Sequence, residues 1–289
     1  MIRVTVWTGS VPSYEEILSF MLGCDQMKST HKISVMQLLL TVLCGGVLAF
    51  HRSSQASTGT AMFLVGTAAV AVLTLCGIGV ENLRKKLQLK LAEPDKLGFA
   101  MLVLAGFLFL LAAVFFLMQG DASTMLRIIT AVFCAFCGIT TLLRLSLRDS
   151  GKTAAVYSWI PIFFRSFFLL MVYRSNGDNP HLRQFGYEVA VILLVLLGIY
   201  AAVAGRFEKA RPQFRSICCS IAICFVVQEL VSLVLMPLLT IPGFSVAAAV
   251  MLLAYGQLLC YGLCFPPTQE VFAEEDPGDE ESDEEESEE

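Results

Sequence analysis

Eight long apolar runs, separated by short connections, constrain this chain more than any other feature. They cover residues 33–50, 60–80, 97–118, 125–145, 154–173, 187–204, 217–240 and 244–265. A hydrocarbon core about 30 Å thick calls for about 20 consecutive apolar residues in a spanning helix. Helix is the expected form, because a segment in lipid must satisfy its backbone hydrogen bonds internally. A membrane β-barrel would instead alternate polar and apolar residues in stretches of about ten, a pattern these runs lack. The expected fold class is therefore all-α: a polytopic helix bundle of about eight spans.

Composition agrees. The chain is 56% hydrophobic and 16% charged, whereas soluble domains carry about 25% charged residues. This excludes a secreted domain, a disordered chain and a soluble enzyme on a membrane anchor. The longest gap between runs, residues 81–96, is too short to hold a folded domain. Three parts follow: a lead at 1–32, the bundle at 33–265 and a tail at 266–289.

Charge sets an expected orientation. With Arg165 inside the fifth run, the remaining bases divide 15 to 4 between alternate faces. Basic residues mark the cytoplasmic side, so both termini are expected there, in a plasma membrane. Leu83, Leu87 and Leu91 form a four-residue stripe in the basic 81–96 connection. As a helix, this segment would face lipid and bring its lysines to anionic headgroups. The first run is read as a retained span, because a leader ending near Ser54-Gln55-Ala56 would carry a long polar lead and polar residues before its cleavage site. Ser13-x-x-Glu16 has the spacing of a capping box and predicts a helix start, with a short amphipathic helix following in the lead.

The tail has a different character. It carries 13 acids and no Lys or Arg, while the rest of the chain sums to +8. Such a run is expected to be disordered. It has three open roles: folding back onto the basic cytoplasmic face, binding a basic partner, or remaining solvated. Nothing in the chain points to nucleic acid or to a cofactor, and oligomeric state is not legible.

Candidates for chemistry lie inside the bundle. Nine of the ten cysteines fall in the runs, and Cys134-x-x-Cys137 has redox spacing. Small residues repeating every four positions, such as Thr130, Cys134 and Gly138, fit close helix packing better. His31, His51 and His181 lie in separate segments without ligand spacing, so no metal is expected. The informative residues are polar ones at depth. Arg165 and Glu229 fall mid-run in the fifth and seventh segments, with Gln228 beside Glu229. A lone charge at the bilayer centre costs about 2.5–3.5 kcal/mol on insertion scales, so the two are expected to pair. Gln257 and Tyr255 add polar atoms in the eighth run, and Pro161 and Pro237 are candidate helix breaks. Broken helices and charge at mid-depth are how many transporters build a substrate site. A small-solute transporter or permease is the first functional expectation. A non-catalytic sensor, scaffold or assembly factor working through its cytoplasmic face and tail is the second, and an enzyme is less favoured than either.

Trp159-Ile160-Pro161, Asn179-Pro180, Phe185-Gly186-Tyr187, Tyr200-Ala201-Ala202 and Gly205-Arg206-Phe207 together resemble a pattern in uncharacterised multi-pass bacterial integral membrane proteins. The resemblance spans about a third of the chain. It implies a helical membrane fold and supplies neither an activity nor catalytic residues.

Overall fold

The computed structural model describes residues 14–53, 59–86, 96–118, 124–146, 156–176, 182–205, 211–235 and 246–265. These form eight helices: α1 (Tyr14–Ser53), α2 (Gly59–Lys86), α3 (Lys96–Met118), α4 (Thr124–Ser146), α5 (Ile160–Asn176), α6 (Leu182–Ala204), α7 (Pro212–Leu235) and α8 (Val246–Cys264). Six of them, α1 to α4, α7 and α8, are long and apolar enough to cross a membrane. The expectation of eight such spans is met only to that extent. α5 has 17 residues and two arginines, and the described apolar stretch of α6 is Val189–Ala204.

Three boundaries differ from the expected ones for physical reasons. α1 runs unbroken for 40 residues, about 60 Å at 1.5 Å per residue, so the lead and the first span share one helix. α5 starts at Ile160, six residues later than the run that contains it, which puts Pro161 in its first turn. There the missing N–H has no intrahelical partner to lose, and Pro161 follows a turn at 158–159 that separates α5 from the helical residues 156–157. α2 continues to Lys86, and its residues Glu81 and Arg84 are buried. The start of the 81–96 connection thus belongs to the bundle. Leu87, Leu91, Pro237 and the acidic tail lie outside the described residues.

α7 is the central helix. It packs against α1, α2, α6 and α8, while α3 holds α4 and α8, and α5 sits against α4 and α6. Among the described residues α7 exposes one large apolar side chain, Phe214, whereas α1 exposes seven, including Met36, Leu43 and Phe50. An apolar exterior around a partly polar centre is the arrangement a lipid solvent favours.

Contacts fix the helix directions. α1 runs parallel to α7, since Gln37 meets Ser216 and Ser220 and, farther along, Arg52 meets Glu229. α2 runs antiparallel to both: Arg84 reaches Ser34, and Asn82 accepts from Gln213. α3 and α4 are antiparallel, and their backbones approach closely where Gly106 faces Gly138. A Cβ on Gly138 would stand 2.9 Å from the Gly106 carbonyl oxygen. α8 is antiparallel to α3, with Tyr255 against Phe109 and Tyr261 in one cluster with Leu102. It runs parallel to α6, where positions 198 and 202 meet Leu259 and Gly262.

Candidate functional site

Buried polar residues recur along α7. Ser216, Ser220, Cys224, Gln228 and Ser232 recur every four residues, which places them in one stripe on a helix. All five are buried. Opposite this stripe, α1 presents Gln37, Thr41 and Gly45. The Gln37 amide Nε2 donates to Ser216 Oγ at 2.8 Å and to Ser220 Oγ at 2.9 Å. Thr41 returns its hydroxyl to the Gln37 carbonyl at 2.8 Å. Gly45 lets the two backbones touch, because a Cβ there would sit 2.6 Å from the Cys224 carbonyl oxygen.

An ion pair stands at each end of this seam. At one end Arg84 binds Glu81 on its own helix and donates from Nη2 to Ser34 Oγ at 2.7 Å. At the other, Arg52 Nη1 donates to Glu229 Oε1 at 2.8 Å, with the Arg52 side chain 19% exposed and that of Glu229 7%. From Ser34 to Arg52 the seam is 18 residues long, about 27 Å at 1.5 Å per residue, close to the ~30 Å hydrocarbon core. Unsatisfied groups lie along α1 and α7. Both Gln228 amide atoms, Gln37 Oε1 and Ser232 Oγ are buried without a hydrogen-bond partner among the described residues. A buried polar group left without a partner costs about 1–3 kcal/mol, so the fully buried Gln228 is an expensive residue to keep on packing grounds alone.

The expected Arg165–Glu229 pair is not the pair that forms. Glu229 takes Arg52, and Arg165 lies over two rings, its Cζ 5.0 Å from the Tyr255 centroid and 5.5 Å from that of Phe168. Sequence gave a plausible depth for both residues but not the direction each faces around its helix. α7 turns Glu229 toward α1, while α5 packs mainly on α4 and α6. Tyr255 is fully buried, meets Phe109 edge-on at 5.0 Å and donates its hydroxyl to the Pro161 carbonyl at 3.1 Å. Pro161 and Tyr255 are thus brought together with Arg165, Gln228 is fully buried on α7, and Gln257 is half-buried on α8.

Sequence reasoning missed Gln37, Ser216, Ser220 and Arg52. The four-residue recurrence along α7 was the available signal, and it was obscured because serine and cysteine at that spacing also serve close packing. The nine described cysteines are free. Cys134 and Cys137 lie in the apolar core with Phe109 and Phe164, and Cys219 donates to the Gly198 carbonyl. Among the described residues no three His, Cys, Asp or Glu side chains gather as a metal site would need.

No family model, curated protein or solved structure matches this chain.

Proposed function

We propose that this chain is a plasma-membrane transporter or permease of eight crossings, with both termini cytoplasmic, that passes a small polar solute along the α1–α7 seam. The observation that carries the reading is Gln228. It is a fully buried amide with neither atom bonded among the described residues, on the same helix that carries the Gln37–serine contacts. An amide donor and acceptor at that depth are suited to a neutral hydrogen-bonding solute or a file of waters. The Arg52–Glu229 pair then serves as a partly open outer gate. Eight crossings draw support from the helix directions, because odd-numbered α1 and α7 run parallel, as do even-numbered α6 and α8, while α3 opposes α4 and α8. The cytoplasmic termini rest on the 15-to-4 division of bases.

Arg165 favours the second reading for its own half of the molecule. Enclosed by Tyr255 and Phe168, it has the surroundings of an architectural residue in a scaffold or sensor. A deletion strain complemented with Gln228→Leu, Glu229→Gln or Arg165→Leu and profiled across nutrients and stresses separates the two. Loss of function with retained membrane yield at Gln228 and Glu229, but not at Arg165, supports transport along the seam. Full complementation by Gln228→Leu and Glu229→Gln overturns it.

A further inference from the structure

A second polar site lies away from the seam, where α4, α5, α6 and α8 meet. It is a cavity of about 40 Å³, several times what one water needs (~10–15 Å³). Its polar lining includes Arg144, Tyr157, Ser158 and Tyr261, and none of the described lining residues is a carboxylate. Arg144 stands in the last turn of α4 with its guanidinium 5.1 Å from the Tyr261 ring centroid. Its Nη2 is buried and has no hydrogen-bond partner among the described residues. The rest of the wall is apolar, including Ile199, Val203 and Leu258. Leu143 and Val156, next in sequence to lining residues, are exposed.

We propose that this cavity binds the phosphate of an anionic phospholipid headgroup, with Arg144 as its principal donor. An arginine fork with hydroxyls, and no acid among the described lining residues, is the chemistry that selects a phosphate oxyanion. The choice of a lipid over a soluble anion rests on the apolar wall and on exposed Leu143 and Val156, which offer acyl chains a path from the headgroup. The position within one turn of the α4 end is headgroup depth for a spanning helix. The carbonyl ends of α4, α6 and α8 oppose an anion here, but that effect is weaker than a charge-assisted arginine–phosphate contact.

The test uses the full chain in nanodiscs of phosphatidylcholine with a minor fraction of phosphatidylglycerol, counting retained anionic lipid by native mass spectrometry. The expected result is saturable retention that falls about tenfold in Arg144→Gln. It should stay within about twofold in Lys86→Gln, which removes an exposed base at the α2 end. Arg144→Lys, which keeps the charge and loses the fork, should fall between these, and it carries the test if Arg144→Gln does not fold. Equal losses at Arg144 and Lys86 would reduce the effect to general surface attraction and overturn the site. Displacement by inorganic phosphate as readily as by the lipid would reassign it to a free oxyanion and overturn the lipid proposal.

Discussion

The α1–α2–α7 sector and the α3–α4–α5–α8 sector bury charge in opposite ways. In the first, charged and polar side chains bind one another across helices, from Arg84 and Ser34 to Arg52 and Glu229. In the second, Arg165 rests against the faces of Tyr255 and Phe168, and the nearby core is built from Phe109, Phe133 and Phe164. A ring face offers a guanidinium electrostatic attraction. It gives a solute few hydrogen-bonding groups to step between. The polar seam offers such groups along its length, and that contrast is why the functional reading settles on α7.

The largest effects should come from the ion pair. Arg52→Ala and Glu229→Ala should each destabilise the bundle by about 3 kcal/mol, the low end for a broken buried pair. The double variant should lose less than the sum, with a coupling of about 1–3 kcal/mol. Arg165→Ala combined with Glu229→Ala should be additive within about 0.5 kcal/mol. Reversible unfolding in bicelles measures both cycles, and strong coupling of Glu229 to Arg165 would erase the distinction between the sectors.

Much of the architecture was legible from apolar run length, because lipid leaves a spanning backbone few alternatives to helix. Ser13 of the Ser13-x-x-Glu16 signal lies outside the described residues. What stayed hidden is rotation about the helix axes. Arg165 and Glu229 look alike in one dimension, yet one meets α8 through Tyr255 and the other meets α1 through Arg52. Pro161 stands in the first turn of α5, because the apolar run begins before that helix. Gln37 and the α7 serines gain meaning only from the α1–α7 register, a contact between helices about 180 residues apart in sequence that no local pattern reports.

Packing should distinguish the sectors less than polarity does. Gly45→Ala must push against the Cys224 carbonyl, and Gly138→Ala against that of Gly106. Each should cost about 1–3 kcal/mol. Gly46→Ala meets nothing within 4 Å and should be neutral, or stabilising by up to about 1 kcal/mol. The same unfolding assay reads all three, and a larger loss at Gly46 than at Gly45 would invalidate the α1–α7 register.

Smaller effects follow for single hydrogen bonds. Tyr255→Phe removes the bond to Pro161 and should cost about 1 kcal/mol. Ser220→Ala leaves Gln37 its bond to Ser216 and should cost no more than about 0.6 kcal/mol. Thermal melts of the two variants check that order. Smallest of all, removing the residues after Glu270 should shift stability by less than about 0.5 kcal/mol. Anionic-lipid binding at low salt should rise, since the tail carries −13 against a +8 remainder.

The central claim is that the seam on α7 meets water during the protein's cycle while the aromatic core does not. The direct measurement is thiol reactivity in an otherwise cysteine-free chain, comparing Ser220→Cys with the native Cys134 reinstated alone. Both positions are fully buried in the structure, so static exposure does not distinguish them. A small water-soluble thiol reagent should modify the Ser220→Cys chain and leave Cys134 untouched over the same period. Equal protection at the two positions, or faster reaction at Cys134, would contradict it.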